Sequence, residues 1–284
     1  MIKPKYLYNY TSIEGLSYIL SSKQIRFSRL DLLDDLNEGK SKDPLDWGKY
    51  FFVSCWTEDS EESIPLWNMY TPEMKGVRIK LPIDMFKKHI LDLNDIPSFI
   101  QFADTSIVPR DKNVIVESYL PYEKLHGENY IVLSNCFSAE LWPLKVEYTN
   151  DIENLNKKYI HYDEKTDKTI ISYFEIAKYK KKVWAFQNEW RFRICCLNAA
   201  SYKLKNKMSE DDYFDLMMKK MSTLGDGVSQ EYFFMDLNDK SLSTLEVVLG
   251  PKVDYSHEII VKSLLKEYAP SALLSKSALS GEIR

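Results

Sequence analysis

The chain has 284 residues, 44% of them hydrophobic, which is enough to bury a substantial core and lies at the upper edge of what one domain holds. Its 38 Lys+Arg against 42 Asp+Glu leave a net charge of −4, so no bulk positive field attracts nucleic acid or an anionic membrane. No run of about 18 apolar residues offers a membrane span and the opening Met-Ile-Lys-Pro-Lys-Tyr has no apolar signal core, which predicts a soluble, cytoplasmic protein with no membrane partner.

In chain order, residues 6–10 alternate tyrosines on one strand face, and Thr11 with Glu14 has capping-box spacing ahead of Leu16, Ile19 and Leu20 at helical period. Strands are predicted at 24–28, 51–56 and 76–81, the last reading Gly-Val-Arg-Ile-Lys-Leu. Asp84, Met85, Phe86, His89 and Ile90 suggest an amphipathic helix. Residues 130–137 and 144–148 read as extended. A helix is predicted over 169–179 with Ile170, Tyr173, Phe174 and Ala177 as its apolar face, and a second over 209–221. Residues 245–249 have the composition of a central strand, ended by Gly250-Pro251, and 259–268 form the last helix.

Several chemistries find no support. Nine glycines form neither Gly-x-Gly-x-x-Gly nor Gly-x-x-x-x-Gly-Lys, so phosphate would have to be held by side chains. His89, His126, His161 and His257 lie apart without metal-ligand spacing, and no metal site is expected. Cys55, Cys136, Cys195 and Cys196 lack Cys-x-x-Cys spacing and suit packed thiols in a reducing compartment.

The most informative stretch is residues 184–194, Trp-Ala-Phe-Gln-Asn-Glu-Trp-Arg-Phe-Arg-Ile. On a strand, Phe186, Trp190, Phe192 and Ile194 line one face and Gln187, Glu189, Arg191 and Arg193 the other. That polar face suits either a solvated outer surface with surface ion pairs or a site on a rigid strand, with Gln187 and Glu189 side by side at its centre.

The order of motifs resembles a widespread bacterial family known only as a domain of unknown function. That family has a Tyr-x-Tyr opening, an Asn-Asp-Pro-Phe-Glu-like loop, a Ser-Cys-Phe-Ser-like strand, a Trp-x-x-Tyr segment, a Gly-Val strand, a late Glu-x-Glu-x-Arg strand and an apolar strand ending in Gly-Pro. This chain offers Tyr8-Asn9-Tyr10, Asp34-Asp35-Leu36-Asn37-Glu38, Val53-Ser54-Cys55-Trp56, Trp67-Asn68-Met69-Tyr70, Gly76-Val77, Gln187-Asn188-Glu189-Trp190-Arg191 and Leu249-Gly250-Pro251. Its opening, with Ile25-Arg26-Phe27-Ser28, also resembles that of ADP-ribosyltransferase-like proteins. Asn9 stands where those transferases usually have His or Arg, and Gln187 where Glu is more usual.

The resemblance implies one α+β domain over 1–284, with a split, twisted, antiparallel-rich β core and helical insertions around 82–123, 150–182 and 205–235. It implies cleavage of the nicotinamide–ribose bond of NAD, taken as substrate, with ADP-ribose passed to a protein, a nucleic acid or water, as in phage defence or a toxin system. Glu189 would then stabilise the oxocarbenium-like charge and Gln187 position the acceptor. Tyr8, Tyr10, Trp67 and Tyr70 would wall the nicotinamide pocket, Arg26 and Arg191 hold phosphates, and Ser28 and Ser54 donate to ribose. Lys178, Lys180, Lys181 and Lys182 form the local basic patch that a nucleic-acid acceptor would use. Two other readings stand beside it: a non-catalytic nucleotide-binding sensor or interaction module, and a metal-dependent nuclease using Asp31, Asp34, Asp35 and Glu38.

Overall fold

A computed structural model describes residues 2–92, 115–133, 142–165, 168–205, 207–223 and 227–283. The expected extension of the strand at 130 to residue 137, and Cys136, lie outside these.

The first half runs β1 (Tyr6–Thr11), α1 (Ile13–Ser22), β2 (Gln24–Arg29), β3 (Phe51–Thr57), α2 (Ile64–Tyr70), β4 (Val77–Pro82), β5 (His89–Asp92), β6 (Ile115–Ser118), α3 (Tyr122–Leu125) and β7 (Tyr130–Val132). The second half continues through β8 (Leu144–Lys145), β9 (Glu147–Thr149), α4 (Ile152–Leu155), β10 (Ile160–Asp163), β11 (Lys168–Ile171), β12 (Tyr179–Lys181) and β13 (Glu189–Asn198). It closes with α5 (Glu210–Ser222), β14 (Tyr232–Asp236), α6 (Asp239–Ser243), β15 (Glu246–Leu249), α7 (Tyr255–Tyr268) and β16 (Leu273–Lys276).

The fold is mixed α+β around a twisted, mostly antiparallel sheet, with β15 and β16 its parallel pair. The sheet divides at β3. One edge of β3 pairs along its length with β13, from Phe51↔Cys195 to Thr57↔Glu189. The other edge is shared: Phe52 and Val53 meet β2, while Thr57 meets Tyr8 of β1. From there β2 leads to β14, and β1 to β4, β15 and β16. Directly opposed residues project to the same side of a sheet, so register sorts the side chains. One side carries Leu7, Ile79, Leu81, Val247, Phe27, Phe192 and Ile194, all buried. There Phe86 meets Phe192 edge-on at 4.9 Å and Trp142 meets Phe192 at 5.1 Å. The other side carries Tyr8, Tyr10, Thr57, Cys55, Glu189, Arg191 and Arg193.

Several expected elements change. The cap of α1 is Ser12, whose hydroxyl accepts from the Gly15 amide at 3.0 Å, in place of the Thr11–Glu14 box. The amphipathic helix expected after Asp84 is absent: the buried Met85 and Phe86 follow a turn at 83–84, Phe86 bridges to Leu237, and the chain extends as β5. The helix expected at 169–179 is β11, paired with β10, followed by a 3₁₀ turn Tyr173–Glu175 and then β12. The β-branched run Thr169-Ile170-Ile171 favours that hairpin over a helix. The insertion at 150–182 therefore carries the β10–β11 hairpin and β12 besides the one-turn helix α4, whereas the one at 205–235 carries the longer helix α5, capped by Ser209.

Candidate functional site

Strand β13 begins at Glu189, two residues later than a continuous alternation from Gln187 requires. Residues Lys182–Gln187 form a 3₁₀ turn, and Asn188 takes a left-handed conformation (φ 40°). Asparagine tolerates that region, and its side chain is anchored by donating to Asp59 at 2.7 Å and accepting from Lys145. Phe186 is consequently exposed, away from the core row of Trp190, Phe192 and Ile194. Gln187 still arrives beside Glu189, but by way of the turn.

The polar face of β13 is not solvated: Glu189 is 3% exposed, Arg191 0% and Arg193 4%. It is covered by the segment running through Tyr173 to Gln187 and by the loop ahead of β3. An irregular segment buried on a sheet leaves carbonyls in want of donors, and the two arginines supply them. Arg193 donates to the Phe174 carbonyl at 3.0 Å and to that of Ile176, and Arg191 donates to the Ala177 carbonyl at 3.2 Å. The surface-ion-pair reading of these residues is thereby overturned.

At the centre, Arg191 Nε donates to Glu189 Oε1 at 2.5 Å, and Nη2 reaches Glu189 Oε2 at 3.1 Å and Glu38 Oε1 at 2.6 Å. Lys180 Nζ lies 3.4 Å from Glu189 Oε2 and 3.3 Å from Glu38 Oε1, donates to Gln187 Oε1 at 2.8 Å, and sits 4.7 Å above the Trp184 ring. Gln187 Nε2 donates to the Tyr70 hydroxyl at 2.6 Å, which fixes the amide orientation. The Tyr148 hydroxyl accepts from the Glu189 amide at 2.9 Å. Two carboxylates and two cations thus form a charge-balanced cluster.

Burial opposes ionisation of Glu189, but the Arg191 and Lys180 cations prevail and hold its carboxyl well below the usual carboxylate range. Burial and the Glu189 charge push the Cys55 thiol up, so it remains a protonated neighbour and not a thiolate nucleophile. Burial and the nearby Asp34 and Glu189 carboxylates raise the Tyr70 hydroxyl. Tyr148 is raised by burial and by Glu189.

Of the residues expected at the site, Glu189, Gln187, Arg191 and Tyr70 converge. Tyr8 joins them on the same face through the row Tyr8–Thr57–Glu189, with the Arg78 guanidinium 4.9 Å over its ring. The others do not assemble as expected. Trp67 is wholly buried, meets Tyr10 edge-on at 4.8 Å and donates its indole N–H to Glu62, so Tyr10 and Trp67 form a small core under α2 and not an open wall. Ser54 lies on the opposite side of the sheet, where its hydroxyl accepts from Trp56. Arg26 is exposed on the β2–β14 ribbon over Tyr232, and Ser28 sits in the row with Val53 and Arg193, four residues along β13 from Glu189. Arg191 has its guanidinium committed to Glu189, Glu38 and a carbonyl, leaving it no fork for phosphate. The basic patch is also reduced: Lys180 is buried and Lys178 pairs with Glu147 at 3.0 Å, leaving Lys181 and Lys182 exposed.

Sequence reasoning missed Lys180 as a site residue, because nothing in the run Lys178-Tyr179-Lys180-Lys181-Lys182 marks one lysine as buried. Tyr148 carried no motif. Glu38 did have a signal, its place at the end of the loop motif Asp34–Glu38.

No protein-family model, curated protein or solved structure matches this chain.

Proposed function

We propose that the protein consumes NAD in the manner of an ADP-ribosyltransferase, releasing nicotinamide and passing ADP-ribose to a macromolecule or to water. The observation that carries this reading is the row Tyr8–Thr57–Glu189: a half-buried tyrosine and an ionised glutamate on one face of three adjacent strands, with Gln187 and Tyr70 beside the glutamate. Adjacent strands lie about 4.8 Å apart, so the two ends of the row stand about 10 Å apart at Cα. A nicotinamide–ribose unit is of similar length, and admitting one requires Glu189, 3% exposed, to be uncovered. A carboxylate held ionised in advance meets charge that develops only in the transition state, with no reorganisation at the moment of bond cleavage.

Lys180 occupies the place where that positive charge would develop. Its contact to Glu189 at 3.4 Å is longer than the Arg191 fork, so it is the partner that yields when substrate enters.

A second reading is favoured by one observation: both Glu189 oxygens already have cationic donors. A non-catalytic nucleotide-binding module would need no more than that. Against the nuclease reading, Asp31 is paired with Arg29 at 2.7 Å and Glu38 with Arg191 and Lys180, so these carboxylates are committed to cations. Incubation with NAD, followed for free nicotinamide, separates the first two readings: release that disappears in Glu189→Gln supports NAD consumption, and binding without release supports the module.

A further inference from the structure

Glu38 differs from Glu189 in one respect. Its Oε1 is shared by Arg191 and Lys180, whereas its Oε2 is buried with no hydrogen-bond partner, on a side chain only 2% exposed. A carboxylate oxygen out of water and without a donor is costly, by more than an ordinary hydrogen bond contributes. Glu38 also lines a cleft of about 30 Å³, together with Asn37, Lys40, Tyr179, Lys180 and Lys181. We infer that this cleft is a binding site for a hydroxyl-bearing phosphate, a ribose phosphate in class, with a sugar hydroxyl donating to Glu38 Oε2 and the phosphate held by Lys40 and Lys181.

Three features select that chemistry. The unpartnered oxygen asks for a donor. A cationic donor is opposed by the lysines around the cleft, one of which already stands 3.3 Å from Glu38, so the donor is neutral. The cleft, about 30 Å³ in all, exceeds the roughly 10–15 Å³ that one water needs and is too small for a ring system, so the part of the ligand that approaches Glu38 is of hydroxyl size, with Oε2, closed off here, uncovered by a small shift as it binds. Lys40 and Lys181 are exposed at the same cleft and suit an anionic group attached to that hydroxyl-bearing part. The site requires binding alone and stands whether or not NAD is cleaved.

The test is calorimetric titration of the full chain with ribose 5-phosphate, ribose and inorganic phosphate. Ribose 5-phosphate is expected to bind about tenfold more tightly than inorganic phosphate, the margin a hydrogen bond to a charged acceptor supplies. Lys40→Ala and Lys181→Ala alter exposed side chains and are expected to weaken ribose 5-phosphate severalfold with an unchanged melting temperature. Glu38→Gln is expected to erase the preference for ribose 5-phosphate over inorganic phosphate. If that variant does not fold, the lysine variants and the wild-type preference decide. Equal affinity for ribose 5-phosphate and inorganic phosphate, no binding of either, or binding indifferent to both lysines would overturn the site and leave only a water for Glu38. Because none of these readouts involves nicotinamide release, failure here is distinct from failure of the NAD reading.

Discussion

Glu38 and Arg191, 153 residues apart in the chain, meet at 2.6 Å with both side chains out of water. This contact ties the loop ahead of β3 to the strand that carries Glu189, and it makes the polar face of β13 an interior. An ion pair at this depth adds little net stability relative to an apolar replacement, but removing one partner strands the other. Arg191→Met is expected to leave two buried carboxylates with Lys180 alone and four hydrogen bonds to carboxylates and a carbonyl unmade. The expected loss is on the order of 3–5 kcal/mol, read as a lowered urea midpoint. A midpoint unchanged from wild type would mean that the cluster is hydrated in solution.

The Glu189 carboxyl titrates below the usual carboxylate range in the folded protein, because Arg191 and Lys180 overcome the opposing effect of burial. A group depressed on folding contributes stability that is fully present above its unfolded value, about 4.3, and is lost as pH falls through the lower folded value. The difference in unfolding free energy between wild type and Glu189→Gln should therefore be level from neutrality to about pH 5 and shrink below about pH 4. Urea titrations of both proteins across that range provide the check. A difference that grows on acidification contradicts the ion-paired assignment.

Gly39 follows Glu38 with φ 77°, and a Cβ there would lie 2.7 Å from the backbone of Gly48. Both the left-handed conformation and the close approach require glycine. Gly39→Ala is expected to cost at least about 1–2 kcal/mol, with displacement of Glu38 from Arg191 visible as a further fall in ribose 5-phosphate affinity. Retained stability and affinity together would show that the loop relaxes freely.

Much of this arrangement was legible in the sequence. The alternation of Trp190, Phe192 and Ile194 against Glu189, Arg191 and Arg193 correctly divided β13 into two faces, because a strand's period is a local property. Whether the polar face met water was not local. It depended on the 3₁₀ turn, on the left-handed Asn188 and on carbonyls from residues 174, 176 and 177 arriving over the arginines. The same limit explains Trp67 and Tyr70, three apart on α2 yet divided between core and site by the packing of Tyr10. It also explains the insertion at 150–182, where β10 supplied a strand partner that helical periodicity did not anticipate.

Lys180 bridges both glutamates, so its removal should move two quantities in opposite directions. In Lys180→Met the carboxylates lose one cation and stability is expected to fall, by an amount approaching the 3–5 kcal/mol of a broken buried pair. Nicotinamide release per folded molecule is expected to rise, since the ammonium no longer stands where substrate charge develops. A fall in both would make Lys180 a contributor to the reaction and not an occupant of its site.

The central claim is that Glu189, held ionised beside Gln187 and in line with Tyr8, drives cleavage of the nicotinamide–ribose bond. The most direct measurement is free nicotinamide from NAD incubated with wild type and with Glu189→Gln, each first verified as folded by its unfolding transition. Release by wild type and its loss in the folded variant is the expected result. No release by wild type, or equal release by both proteins, would contradict it.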